Sequence, residues 1–196
     1  MILSEEQYKK IEEFALDKVS KLDYNHDHTH VIRTIKFVEI LAKKENADVE
    51  VCRVAALLHD IGQSVERENH EERSTKMTRE FLSSMNLPND FVENVCHAIR
   101  CHQTSYVKNA KTIEAKVVYD ADKLQVVGVF GFCRVFTHFA VFQNFNLKDA
   151  VEKVKSTQGK KILSLQTKSA KEMVSEPHKL MKEFYELYDK WDEVDF

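Results

Sequence analysis

Four ionisable side chains stand among hydrophobic residues in this sequence, and together they could bind a divalent cation. The run "AALLHDIG" (residues 55–62) ends in His59 and Asp60, while His30 and Asp122 interrupt the apolar faces of two other predicted helices. Each such group costs about 2 kcal/mol or more if it is buried without a partner. Either each side chain finds a separate polar partner, or one cation satisfies all four. Two imidazoles and two carboxylates would suit Mn, Fe, Co, Ni, Zn or Mg, and the spacing alone leaves both explanations open.

The elements that must position these residues are predicted to be helices. The 196 residues include only 4 glycines and 2 prolines, too few for a turn-rich β architecture. Apolar residues recur at helical spacing, with a polar connection at residues 63–73 and a kink or close helix crossing at Gly128 and Gly131. The first predicted helix begins after Ser4, the second carries His30 to Leu41, and Asp48 caps the third. A fourth helix runs to about Leu82, a fifth begins near Asp90, and a long apolar helix that contains both glycines begins near Thr112. Two or three more helices are predicted within residues 146–193. The sequence therefore predicts a single all-α domain over residues 1–196.

The charge balance and the hydrophobic pattern argue against several classes of protein. A formal net charge of -3 and a pI near 6.3 indicate no basic surface for nucleic acid or an anionic membrane. Residues 1–20 lack the apolar core of a signal peptide, and no run approaches the roughly 20 apolar residues of a membrane span. The four cysteines lack C-x-x-C spacing and lie in apolar helical patterns, which predicts buried, reduced thiols. We therefore expect a cytoplasmic protein, a monomer or a homodimer, with no nucleic-acid or membrane partner.

Several ordered motifs resemble those of the HD-domain superfamily of metal-dependent phosphohydrolases. "DHTHVIRT", "LLHDIG" and "DADKL" follow one another in the superfamily's order of H…HD…D. An H-x-x-x-S segment at residues 70–74, "VCHAIRCH" and "TKSAKEM" are similar to motifs of the stand-alone bacterial and archaeal members. The resemblance extends from about residue 4 to 190. It implies a helical bundle with one divalent metal ion at its centre, bound by His30, His59, Asp60 and Asp122.

The resemblance also bears on polar residues next to these ligands. Asp27 and Arg33 flank the first ligand as in the superfamily, although a helix cap and a surface ion pair would explain them equally well. Asp120 is expected not to be a ligand, because it lies two residues from Asp122 and faces elsewhere on the helix. His26 and His28 are expected in an exposed loop without a ligand role.

The sequence contains three further histidines in these motifs, in addition to the four expected metal ligands: His70, His97 and His102. Some HD proteins use such histidines to bind a second metal, and a minority of those are oxygenases; others use them to contact phosphate. Because a second site would lack a full set of acids, the sequence predicts one tightly bound metal.

The general base is left open by the sequence. Some HD nucleotidases carry acids at the two positions that Gln63 and Gln125 occupy here. The remaining candidates for the base are Asp60, Glu68 and Glu71.

The function that the resemblance implies is hydrolysis of a phosphate ester or anhydride, with a small phosphorylated substrate such as a nucleotide. Metal-activated hydroxide would attack phosphorus, and cationic side chains would stabilise the phosphoryl oxygens. Arg33, Lys123 and His102 are the candidates for catalysis beside Asp60, with Lys161 as a substrate contact, although the lysines could equally be solvated surface groups. We expect a cleft walled by His70, His97, His102 and Lys123 and closed by the tail that carries Thr167 and His178. A dimetal oxygenase and a binding protein without turnover are the alternatives.

Overall fold

The computed structural model describes residues 2–20, 22 and 28–194, and within these residues the chain is helical and contains no strand. The all-α prediction is confirmed. The helices are α1 (Glu5–Val19), α2 (His28–Glu45), α3 (Val49–Leu58), α4 (His70–Ser84), α5 (Asn89–Cys101), α6 (Ile113–Leu124), α7 (Gly128–Thr137), α8 (Leu147–Ser164), α9 (Lys168–Met173) and α10 (Ser175–Glu193). Two 3-10 turns, Ile61–Ser64 and Val107–Asn109, and a π-helical turn, His138–Phe142, complete the regular structure.

The chain divides into two compact units, residues 1–122 and 123–196. The first holds α1 to α5 and most of α6, and the second holds the end of α6 and α7 to α10. The expectation of a single domain over residues 1–196 stays a prediction.

Helix starts in the first unit follow from local side-chain chemistry. The Ser4 hydroxyl accepts the Gln7 N–H, and the Gln7 side chain accepts the Ser4 N–H, which forms a capping box at α1. The Asp48 carboxylate accepts the N–H groups of Glu50 and Val51, so the predicted cap of α3 is confirmed. α3 packs against α2 and α5, and none of its residues is exposed. Its C-terminal end therefore places whatever follows it in the interior.

The polar segment at residues 63–73 differs from the sequence prediction. It was expected to connect two helices, but it begins in the 3-10 turn and ends in α4, which starts at His70. Asn69 adopts a left-handed conformation with φ of 52° just before that start. The carboxylates of Glu71 and Glu72 lie in the first turn of α4, where they stabilise the helix by interacting with the positive end of its dipole. The connection between two helices is present, but the predicted start of α4 is too late because the first residues of that helix are polar.

The second unit packs α7, α8 and α10 around Val151, Met181 and Tyr185. The expected long apolar helix is instead two helices, because α6 ends at Leu124 and α7 begins at Gly128 with φ of 71°. Gly131 has no room for a Cβ, which would overlap the carbonyl group of Val126. The glycines thus mark a break and a close approach rather than a kink in one helix.

No single helix of the described residues is long and apolar enough to cross a membrane. One bent pair, Ile113–Leu124 with Gly128–Phe142, meets the length and composition test only when its two halves are taken together.

The cysteines partly contradict their prediction. Cys52, Cys96 and Cys101 are buried free thiols, as expected, but Cys133 on α7 is exposed. Its helix is apolar on more than one face, so the sequence pattern did not distinguish the exposed side.

Candidate metal centre

The 3-10 turn that follows α3 packs closely against the first residues of α4. A Cβ on Gly62 would overlap the carbonyl oxygen of His70 and would lie 2.7 Å from the amide nitrogen of Ser74. The Gly62 N–H donates to the Ser74 hydroxyl at 2.9 Å. The glycine after the His-Asp pair and the serine four residues after His70 therefore belong to one packing arrangement, which sets His70 beside Asp60.

Three buried histidines are held in the same way. In His59, His70 and His102, ring atom Nδ1 contacts a backbone carbonyl oxygen three residues earlier. The acceptors are, in that order, Ala56 at 2.8 Å, Arg67 at 2.9 Å and Ile99 at 2.5 Å. A carbonyl oxygen can only accept, so each Nδ1 donates. Each ring is thereby oriented with Nε2 toward the other polar groups.

The first group of side chains consists of His30, His59 and Asp122, whose ligand atoms lie within 4.8 Å of one another. Nε2 of His30 lies 3.1 Å from Nε2 of His59 and 3.5 Å from Oδ1 of Asp122. Oδ2 of Asp60 adjoins this group, at 3.2 Å from Nε2 of His59 and 3.6 Å from Nε2 of His30. The structure thus brings together all four residues that the sequence nominated as ligands.

The second group consists of Asp60, His70 and His102, all buried. Oδ1 of Asp60 lies 3.3 Å from Nε2 of His70 and 3.6 Å from Nε2 of His102. The two Nε2 atoms are 3.2 Å apart. Asp60 therefore presents one oxygen to each group.

Both groups have the dimensions of a cation site. Neighbouring ligands at about 2.1 Å from one ion and at right angles are separated by roughly 3 Å. The separations of 3.1 to 3.6 Å match that edge or slightly exceed it. The nitrogen-rich donor set suits a transition metal better than calcium.

The charges inside the cluster stabilise one another. Burial disfavours protonated His59, but the Asp60 carboxylate, together with Asp122, raises the pKa of His59 to about 9. Burial likewise disfavours ionised Asp60, but the neighbouring His59 holds the pKa of Asp60 well below its usual value. The site is therefore built around an ionised Asp60 that attracts positive charge.

Other residues singled out from the sequence are not members of these two groups. Nε2 of His97 accepts the backbone N–H of Lys111 at 3.0 Å, and the ring also contacts Cys101. Glu68 is exposed, whereas Glu71 is buried with Oε2 3.7 Å from Nδ1 of His70.

The remaining candidates are placed as follows. Arg33 is half-buried on α2 and donates to the Thr29 hydroxyl at 3.1 Å. His28 is exposed and opens α2, Asp120 is fully buried on α6, and Asp27 and His26 lie outside the described residues. Lys123, Lys161, Thr167 and His178 belong to the second unit, and their place at a cleft stays a prediction.

Sequence reasoning missed one residue of this cluster, Gln103. Its side-chain nitrogen lies 2.9 Å from Nε2 of His70 and 3.5 Å from Nε2 of His102. The available signal was its position directly after His102, where α5 ends and the side chain can turn back toward the buried histidines.

Comparison with known proteins agrees with this geometry. The HD domain profile matches residues 28–126, which contain all six charged or imidazole groups of the cluster. The chain is similar to the protein YpgQ of Bacillus subtilis, at 27% identity over 173 residues, covering 84% of this chain and 83% of YpgQ.

Solved structures show the same fold. A crystal structure of Bacillus subtilis YpgQ in complex with ADP is 25% identical, with a TM-score of 0.77 and 94% of both chains covered. An HD-superfamily hydrolase from Bacillus thuringiensis has a TM-score of 0.73 at 23% identity, covering 95% of this chain and 97% of that one. A predicted HD-superfamily hydrolase from an uncultured Thermotogales bacterium has a TM-score of 0.70 at 22% identity, covering 93% and 92%.

Proposed function

Because this chain belongs to the HD domain family, we propose that it is a metal-dependent phosphohydrolase that cleaves a phosphate ester or anhydride of a nucleotide. The observation that carries the proposal is the position of Asp60. Its two oxygens face two separate groups of ligands. Five of the six side chains are buried and Asp122 is half-buried, so bringing them together without a cation would be costly.

The tight metal site is assigned to His30, His59, Asp60 and Asp122. A bound divalent cation supplies Lewis acidity, which makes water a better nucleophile near neutral pH and stabilises charge on phosphoryl oxygens. The chain's own contribution is the fixed orientation of the rings through their Nδ1 hydrogen bonds. His70, His102 and the second oxygen of Asp60 have the geometry for a further cation, which the sequence alone did not favour.

The nucleotide substrate class is supported by the relative that was crystallised with ADP. A phosphorylated ligand needs cationic partners, and the net charge of -3 requires that these be local. Arg33 lies three residues after His30, on the same side of α2, and can approach a phosphate from there. We assign it the phosphoryl-binding role, with Lys123 and Lys161 as the other candidates.

The general base is best assigned to Asp60. Of the three carboxylates considered, only Asp60 has its oxygens at the centre of the cluster. The Glu71 carboxylate lies at the Nδ1 side of His70, and Glu68 is exposed. Asp60 would accept the proton of the attacking water at Oδ1, beside His70 and His102.

The test is a hydrolysis screen together with metal analysis of the purified protein. We expect phosphate or pyrophosphate release from at least one nucleoside mono-, di- or triphosphate in the presence of Mn²⁺ or Co²⁺. His59→Ala should lose both metal and activity while keeping most of its helical content. No release from any nucleotide by a metal-loaded wild-type protein would contradict the proposal.

A second candidate function is a dimetal oxygenase, because His70 and His102 complete a second ligand group. Iron content and oxygen consumption separate the two functions. Two iron ions per chain and substrate-dependent uptake of oxygen would favour the oxygenase, whereas anaerobic phosphate release favours the hydrolase. A binding protein without turnover would show neither activity.

A further inference from the structure

A carboxamide lies against the second ligand group. The side-chain nitrogen of Gln103 is 2.9 Å from Nε2 of His70 and 3.5 Å from Nε2 of His102. Both histidines are buried, and Gln103 is half-buried beside them.

The hydrogen-bond chemistry of this contact is fixed by the far side of each ring. Nδ1 of His70 donates to the Arg67 carbonyl, and Nδ1 of His102 donates to the Ile99 carbonyl. Nε2 is therefore the atom of each neutral ring that can accept. An amide nitrogen only donates, so Gln103 uses the lone pairs of Nε2, at a good distance in His70 and a longer one in His102.

The same two lone pairs are those that a second cation requires. A lone pair that accepts a hydrogen bond cannot also bind a metal at about 2.1 Å. A cation that enters beside Oδ1 of Asp60 must therefore displace the Gln103 amide from both rings.

We propose that Gln103 competes with the second cation for His70 and His102, so that the second site fills after the first and at a higher cation concentration. The inference rests on the metal centre of the proposed function. The tight site uses His30, His59, Asp60 and Asp122, whereas the Gln103 contacts are made to the two histidines of the other group. The Gln103 side chain would thus make the affinity of the second site for a cation lower than that of the first.

The test is calorimetric titration of Mn²⁺ into the full chain, with metal content per chain measured in parallel. The variants are Gln103→Leu, which has a similar size but no donor, and Gln103→Asn, whose shorter side chain reaches less far. Loss of one hydrogen bond should tighten the second site about tenfold. Binding at the first site should change by less than about twofold.

Gln143→Leu is the matched control. The Gln143 side-chain nitrogen lies 3.0 Å from Nε2 of His138, in the second unit, so this variant removes the same kind of bond away from the cluster. It should bind Mn²⁺ as the wild type does. Circular dichroism of each variant establishes that it is folded.

The outcomes are distinct. A tighter second site in both Gln103 variants, or a second Mn²⁺ that binds only when Gln103 is replaced, supports the competition. An unchanged, weaker or absent second site in those variants overturns it. Normal Mn²⁺ isotherms without hydrolysis of any nucleotide would refute the proposed function alone, and no Mn²⁺ binding in the wild type would refute both.

Discussion

Asp120 and Asp122 are neighbouring carboxylates on α6, and of the two we assign only Asp122 as a metal ligand. Oδ1 of Asp122 lies 3.5 Å from Nε2 of His30, whereas Asp120 is fully buried elsewhere on the same helix. Asp122→Asn should weaken metal binding at least about a hundredfold, because a neutral amide replaces a charged ligand. Equilibrium dialysis against Mn²⁺ measures the change.

Asp120→Asn is the natural comparison for that variant. It should keep its metal affinity within a few-fold but lose some stability, because Asp120 is buried with an interaction of its own. Full metal occupancy in Asp122→Asn, or its loss in Asp120→Asn alone, would show that the ligand has been assigned to the wrong carboxylate.

The residues of both ligand groups were accessible to sequence reasoning, but their division into two groups that share Asp60 was not. His30, His59, Asp60 and Asp122 stand out because each is polar on an apolar face. His97 was expected beside His70 and His102 as an additional histidine, but it accepts a backbone N–H from Lys111, which no spacing rule shows. Gln103 has no such pattern, because its contact depends on how α5 ends beside α4.

Element packing at the end of α3 depends on the absence of a side chain at residue 62. Gly62→Ala would put a methyl group into the carbonyl of His70 and the amide of Ser74, both of which are backbone atoms that cannot rotate away. We expect a loss of about 1–3 kcal/mol in the free energy of unfolding. Displacement of α4 should also weaken binding at the group that contains His70, and urea denaturation with Mn²⁺ titration measures both effects.

Gly159→Ala in α8 supplies the control for this helix-scale prediction. A Cβ at Gly159 meets nothing within 4 Å, and its backbone is helical. Alanine should therefore stabilise the protein by about 0.5–1 kcal/mol. A Gly62→Ala protein as stable as the wild type would mean that α3 and α4 are not held together through this turn.

The helices themselves were largely predictable, and their junctions were not. Ser4 and Asp48 predicted the starts of α1 and α3, because serine and aspartate are common helix N-caps. The start of α4 was missed because its first turn is polar throughout and the histidine there faces inward. At the break between α6 and α7 the sequence predicts one helix with a kink or a close crossing, since apolar residues continue across the break and do not reveal the positive φ of Gly128.

Metal binding should increase the free energy of unfolding of the whole molecule. The ligands come from five different segments, and the unfolded chain cannot present them together. A cation at 100 times its dissociation constant would add about 2.7 kcal/mol to the free energy of unfolding. For a chain of this size the melting temperature should rise by roughly 5–10 °C. Differential scanning calorimetry with Mn²⁺ and with a chelator tests this, and Asp122→Ala should remove most of the rise.

Thiol reactivity offers a second prediction for the molecule as a whole. Burial raises the pKa of Cys96 to about 11, and burial likewise raises the pKa of Cys52 and of Cys101. Because the thiolate is the reactive form, these three should react slowly in the folded protein. An aromatic disulfide reagent at pH 8 should label one thiol per chain quickly and the other three only in denaturant. Cys133→Ser should abolish the fast phase, and a fast phase that persists would contradict the assignment.

The exposure of Cys133 also makes this protein suited to magnetic distance measurement. Cys133 belongs to the second unit, and the groups that would bind Mn²⁺ belong to the first. A nitroxide attached to this thiol and a paramagnetic Mn²⁺ at Asp60 form a spin pair whose dipolar coupling falls with the cube of their separation. Titrating nucleotide into such a sample would show, as a shift in that coupling, whether substrate changes the separation of the two units.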